Sequence, residues 1–299
     1  MLFVILSSTL FSQIGIGENA YPGNMDAKIL GSPLSNDISI NPAFFIDSFY
    51  TSFTPIFSYS RSGQREYRIS SFGFTFPIKD IINIGIIGDV LYTQNFTFTF
   101  PPDSNEWDHF TESVKRIGDI TDFSGVMSLR YKNMDFGLRT GWLNGGSEYR
   151  WHILFDKYRD IDDTTRVFYS GYTYGGGFKL HLSTIDLGAS VFYRYIGGDT
   201  LIQKLVYKAG ISFPISRGNG YVTVSQNEFN VSMQYLYVYV GGGYVFSESE
   251  GSKGWKIGIG SKIPLKSSNR LSLFGIVRNI TGRFEDFEYT AGVSFEFLE

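Results

Sequence analysis

Residues 287 to 297 read Phe287-Glu288-Tyr289-Thr290-Ala291-Gly292-Val293-Ser294-Phe295-Glu296-Phe297. Successive side chains of a strand point to opposite faces. Phe287, Tyr289, Ala291, Val293, Phe295 and Phe297 therefore share one face, and Glu288, Thr290, Gly292, Ser294 and Glu296 share the other. The same sorting recurs upstream. Ile185, Leu187, Ala189, Val191, Tyr193 and Tyr195 oppose Asp186, Gly188, Ser190 and Arg194. Leu205, Tyr207, Ala209, Ile211 and Phe213 oppose Lys204, Lys208, Gly210 and Ser212, and Trp255, Ile257, Ile259 and Ile263 oppose Lys256, Gly258, Gly260 and Lys262. The polar faces carry both charge signs and much glycine. A soluble core rejects Lys, Arg and Asp unless they are paired. A barrel in lipid needs only an apolar outer band, and its mean hydropathy resembles that of a soluble protein. The observed mean, near zero, is compatible with that.

From about residue 49 onward the dominant period is two. The pattern predicts strands at 49–60, 66–77, 82–100, 123–132, 134–145, 164–181, 184–197, 203–214, 220–226, 232–247, 254–265, 270–280 and 284–297. Many exceed the five or six residues of an ordinary globular strand and suit the 9–11 residues that cross hydrocarbon. Single-chain bacterial barrels have even strand numbers. The stretch 146–156 either supplies a further strand or extends its neighbour, so fourteen strands are expected and twelve are the alternative. Gly73-Phe74-Thr75-Phe76-Pro77-Ile78, Gly210-Ile211-Ser212-Phe213-Pro214-Ile215 and Gly260-Ser261-Lys262-Ile263-Pro264-Leu265 share one pattern. Proline cannot donate to a ladder, so each repeat closes a strand. All three fit one rim only with an odd number of strands between residues 219 and 250, which this reading does not provide.

Two segments depart from period two, residues 101–122 and the N-terminal stretch 20–47. Residues 1–12 form an apolar run too short to span a bilayer; it reads as a secretory signal without a preceding Lys or Arg. In the 101–122 connection, Trp107, Phe110, Val114 and Ile117 fall at helical spacing, which predicts a short amphipathic surface helix. Chemistry is sparse. With no cysteine and three histidines, thiolate sites are excluded and a histidine metal site is disfavoured. His109, His152 and His181 are isolated in sequence, and Gly175-Gly176-Gly177 and Gly241-Gly242-Gly243 lack the following helix of a phosphate loop. These glycines read as bends or as room for a close approach. Asp162-Asp163 and Glu248–Glu250 read as solvated loop ends. A net charge of −3 without a basic stripe argues against a nucleic-acid partner. No catalytic constellation, metal site or cofactor is expected.

The run Thr290, Gly292, Phe295 and Phe297 resembles the C-terminal signal read by the outer-membrane assembly machinery: polar, any, Gly, any, any, aromatic, any, aromatic. Residues 27–43 contain Ala27, Gly31, Asp37, Asn41, Pro42 and Ala43. This stretch is similar to the N-terminal signature of the outer-membrane long-chain fatty-acid transporter (FadL-like) superfamily, which includes the PorV- and PorQ-type barrels of type IX secretion. PorP-type secretion proteins also carry an early Asn-Pro-Ala. Phe44 departs from the glycine that commonly follows. The resemblance covers about a tenth of the chain and implies an all-β, fourteen-stranded transmembrane barrel in the outer membrane. It divides the chain into a signal (1–12), an inward hatch (13–47) ending at Asn41-Pro42-Ala43, and the barrel (48–299). It implies either a transporter or channel for hydrophobic or small solutes, or a structural barrel that binds a secretion-system partner. A transporter of hydrophobic molecules would form an apolar groove between the hatch and the 101–122 helix. A soluble β-rich protein is the remaining alternative.

Overall fold

The structure is a computed structural model. It describes residues 29–35, 37–45, 49–60, 65–79, 81–99, 103–104, 109–155, 160–198, 202–226, 228–246, 253–266, 268–279 and 287–298. The strands are β1 (Tyr50–Ser60), β2 (Arg65–Ile78), β3 (Ile82–Thr99), β4 (Asp103–Ser104), β5 (His109–Tyr131), β6 (Met134–Phe155), β7 (Ile161–His181), β8 (Asp186–Gly198), β9 (Ile202–Ile215), β10 (Gly218–Ser225), β11 (Glu228–Tyr235), β12 (Val238–Phe246), β13 (Lys253–Pro264), β14 (Arg270–Asn279) and β15 (Phe287–Leu298). β4 is a two-residue strand beside the start of β5. The other fourteen pair antiparallel with their chain neighbours, β3 with β5, and β1 pairs with β15 to close the barrel. The period-two reading of the chain thus matches the architecture.

Residues 146–155 extend β6. The fourteenth wall strand comes instead from the segment read as one strand at 232–247, which is β11 and β12 joined at Leu236-Tyr237. No Gly, Pro or Asn marks that turn. The alternation itself does, because the outward apolar series runs Val231, Met233, Tyr235 and then shifts phase to Val238 and Val240. Three strands now lie between residues 219 and 250. The three Gly-x-x-[FI]-Pro repeats therefore end β2, β9 and β13 at one rim. That rim holds the tight turns. All five non-glycine residues of positive φ among those described, Lys79, Lys132, Ser216, Leu236 and Ser268, sit in them. The opposite rim carries the longer connections.

The predicted surface helix is corrected. Phe110, Val114 and Ile117 lie in β5, which pairs on one side with β3 and on the other with β6; Trp107 lies outside the described residues. Ladders on both edges pair most of the described backbone of the segment, and apolar residues at helical spacing cannot offset that.

The wall is inside-out relative to a soluble sheet. Leu138, Ile259, Ile257, Val231 and Trp142 stand on the outside, and Trp142 is 77% exposed. Ser124, Arg139, Thr173, Lys179, Ser190, Arg194, Ser232, Lys262 and Glu296 are buried inside. Water-soluble monomers do not carry contiguous apolar surfaces of this extent, so the outer face is built for hydrocarbon. Its upper edge is visible. Phe123, Trp142, Tyr172 and Tyr195 are successive cross-strand partners, and the two tyrosine rings stack with centroids 4.9 Å apart. Beyond that row the outward residues of β6 and β7 are mixed: Phe168 is 75% exposed, while Glu148 contacts Arg150 and, at 3.1 Å, Arg166. From the rim row of Tyr131, Met134 and Leu180 to the aromatic row is about 26 Å along the strand. At a tilt of about 40° that is about 20 Å of apolar height, close to the band of known barrels.

β5, β6 and β7 run on past the aromatic row to 23, 22 and 21 residues. On the far side β10, β11 and β12 have 8, 8 and 9. The barrel therefore has one tall side.

Candidate functional site: the strapped lumen

Residues 29–45 cross the interior of the barrel. At one end Ile29 and Leu30 pack with Tyr221 of β10, Tyr239 of β12 and Phe274 of β14. At the other, Ile38 and Phe44 pack with Tyr50 of β1, Ile87 of β3 and Val126 of β5. The segment is mostly irregular, so its carbonyls need donors. The polar inner face supplies them. Asn230 Nδ2 donates to the Leu30 carbonyl at 2.6 Å and Ser232 Oγ to the same oxygen at 3.1 Å. Lys179 Nζ donates to the Ser35 carbonyl at 3.3 Å, Arg139 Nη1 to that of Ser39 at 3.2 Å, and Ser128 Oγ to that of Pro42 at 2.5 Å.

The motif residues shape this strap. The Asp37 carboxylate accepts from the Ser39 backbone N–H at 2.6 Å, and the Asp37 carbonyl accepts from the N–H groups of Ile40 and Asn41. These bonds turn the chain back. Asn41 is fully buried. Its amide donates to the Pro33 carbonyl at 2.8 Å and to the Phe178 carbonyl of the wall at 3.2 Å, and its oxygen accepts from the Ala43 N–H at 3.0 Å. Only an amide side chain offers both donors and an acceptor in this geometry. Pro42 follows and donates nothing, leaving its carbonyl to Ser128.

Glycines clear the path. A Cβ on Gly137 would overlap the Pro42 carbonyl and the Ala43 nitrogen, and one on Gly177 would overlap the Asn41 side-chain oxygen. One on Gly241 would overlap the Ile29 carbonyl, and one on Gly188 would lie 2.9 Å from Leu34. The glycines of the polar faces are thus a seat for the strap. Gly292, within the C-terminal signal, has another use: the ring of its cross-strand partner Phe274 lies across it. Phe295 and Phe297 stand outside, toward lipid, while Ser294 bonds Thr54 inside at 2.8 Å. Thr290 pairs with Ile276 of β14. The structure therefore keeps Thr290, Gly292, Phe295 and Phe297, the four residues expected to form an assembly signal, on one strand but splits them between the two faces.

Between the strap and the tight-turn rim lies a cavity of about 630 Å³. Leu30, Leu34 and Phe45 of the strap line it, with Tyr221, Tyr239, Asn219 and Gln234 from β10 to β12. Charged groups ring it. Arg130 makes two bonds to Asp135, at 2.8 and 3.2 Å, and stacks 4.0 Å above the Phe45 ring. His181 sits between Asp135, 3.2 Å from Nε2, and Asp186, 3.0 Å from Nδ1. On the facing wall Lys262 pairs with Glu296 at 3.0 Å. Higher in the lumen Arg139 pairs with Asp122 at 2.8 Å.

Sequence reading found Asn41, Pro42 and Ala43 but not this ring; His181 looked isolated. A signal was available. Arg130 with Asp135, and His181 with Asp186, are register partners five residues apart across two tight turns. His152 likewise meets Asp162 on the tall side. Among the described residues no cluster of three or more metal-ligating side chains occurs.

No protein family and no curated protein matches the sequence. Among solved structures, the chain is similar in fold to the Ralstonia pickettii toluene transporter TbuX, with a TM-score of 0.49 and 9% identity over 92% of this chain and 93% of that one. The translocator domain of the Neisseria meningitidis autotransporter NalP gives 0.46 and 7% over 85% and 89%. A Rhodopseudomonas blastica porin variant gives 0.38 and 9% over 84% and 99%.

Proposed function

We propose that this chain is a bacterial outer-membrane β-barrel that passes small solutes, with residues 13–47 acting as a hatch that closes the lumen. The observation that carries the reading is the seat of residues 29–45. The donors and glycines of at least five strands are fitted to one segment, and an inert wall would have no use for them. Those contacts are individually modest, about 0.5–1.5 kcal/mol for the neutral donors and about 1.5–3 kcal/mol for Arg139 and Lys179, as suits a segment that leaves and returns. The polar, charged lumen favours hydrated solutes over oily ones. The apolar groove expected of a hydrophobic transporter also lacks the helix that would have formed one side. In this reading the first twelve residues direct export, Thr290, Gly292, Phe295 and Phe297 engage the outer-membrane assembly machinery, and the tight-turn rim faces the periplasm.

A second reading rests on the tall side. β5 to β7 continue far beyond the aromatic row, and a partner-binding barrel of a secretion system would use such a projection. One experiment separates the two. The full chain and a variant lacking residues 29–45 are refolded into planar bilayers. The intact barrel is expected to conduct in rare, brief openings and the deletion variant continuously. A deletion barrel that is folded, by its heat-modifiable migration on gels, yet passes no current leaves the partner-binding reading in place of transport.

A further inference from the structure

The buried ammonium of Lys179 lines the cavity under the strap. Lys179 is 6% exposed. Its one hydrogen bond within the described residues is to the Ser35 carbonyl, at 3.3 Å, and the Phe44 ring lies 5.8 Å away. No carboxylate among the described residues stands within ion-pair distance. The acids around it are already engaged: Asp37 by Ser39, Asp135 by Arg130 and His181, Asp186 by His181 and by Ser212 at 3.3 Å. Both nitrogens of His181 face carboxylate oxygens. An ammonium with three donors and one long hydrogen bond has two to spare.

We infer that the cavity between the strap and the tight-turn rim is a binding site for a small anion, a carboxylate- or phosphate-bearing solute whose charged end takes the ammonium of Lys179. The volume holds a solute of several heavy atoms beyond its head group. Leu30, Leu34 and Tyr239 offer it an apolar surface, and Asn219 and Gln234 offer hydrogen bonds. The same ammonium holds the strap at Ser35. The site stands independently of transport, because binding is an equilibrium property of the barrel in detergent.

The test uses the full chain, folded in detergent, at constant ionic strength held by chloride. Acetate and inorganic phosphate are titrated separately, with neutral acetamide as a control, and the midpoint of thermal unfolding is followed. Wild type is expected to show a saturable rise with at least one of the two anions and none with acetamide. Lys179→Arg keeps the charge and keeps the rise. Lys179→Gln weakens binding by about tenfold or more, the loss of a charge-assisted hydrogen bond. A wild-type barrel without a saturable anion effect overturns the site, and so does unchanged affinity in Lys179→Gln. Should Lys179→Gln not fold, Asn219→Asp decides: it leaves the ammonium in place but sets a carboxylate in the cavity lining, which repels an anion, and unchanged affinity there overturns the site equally.

Discussion

Leu138→Arg will destabilise the barrel by about 2–4 kcal/mol, the depth-dependent cost of an arginine facing hydrocarbon near the midplane. Leu138 stands outside, 61% exposed, midway between the tight-turn rim and Trp142. The next residue is already an arginine. Arg139 points inward, is 2% exposed, and pairs with Asp122 and the strap. One step along a strand thus separates a position where arginine belongs from one where it is ruinous. Ile259→Arg on β13 tests the same band on the opposite wall. Asn219→Lys, in the wet mouth of the lumen, should fall within about 0.5 kcal/mol of wild type. Reversible urea unfolding in phospholipid vesicles measures all three. Equal costs for Leu138→Arg and Asn219→Lys would falsify the lipid-facing assignment of the outer surface.

Gly137→Val is the second large effect. Its Cβ would occupy the space of the Pro42 carbonyl and the Ala43 nitrogen. Those are backbone atoms, so no rotamer change relieves the overlap. The wall strand, by contrast, gains a residue that favours β structure. The strap must therefore leave its seat between residues 41 and 43, losing the Asn41 bond to Phe178 and the Ser128 bond to Pro42. The barrel is expected to keep its gel mobility and its thermal midpoint to within a few degrees. Residues 29–45 should become open to limited proteolysis, and bilayer conductance should rise toward that of the deletion variant. Proteolysis and conductance both at wild-type levels would show that the strap is not held there.

The barrel could be read from the chain because period two leaves little freedom: a one-residue slip would turn every lipid-facing side chain into the lumen. Phe287 to Phe297 and the 255–263 run show this directly. Where the reading failed, a local rule had been applied to a segment governed by pairing. The Trp107 to Ile117 spacing suggested a helix, but the ladders to β3 and β6 take Phe110, Val114 and Ile117 as strand. The single strand read at 232–247 conceals a turn made of Leu236 and Tyr237, residues with no turn preference, whose cost is carried by the pairing on either side. The candidate site was half legible. Asn41-Pro42-Ala43 stood out as a motif, and the glycines stood out as excess. Their meeting could not be read, since Gly137, Gly177 and Gly241 come to the strap only when the sheet closes. The ring around His181 was written in five-residue spacings across turns, which have meaning only once the turn positions are known.

The tall side has a consequence for how the molecule breathes. Above the level of Tyr169 and Gly198 the described wall is open on one side. Ile161 to Phe168 of β7 pair with β6, but the last β8 partner in this direction is Gly198, opposite Tyr169. Among the described residues one edge of that stretch has no neighbour. Asp162, Asp163 and Arg166 place charge along it, which discourages a foreign strand from adding there. Its amides can exchange with solvent by local opening, while those of the wall below wait for the whole ring to come apart. The projection and the barrel are thus separate cooperative units on continuous strands. Sequence can drift in the upper one without drawing on the stability of the lower.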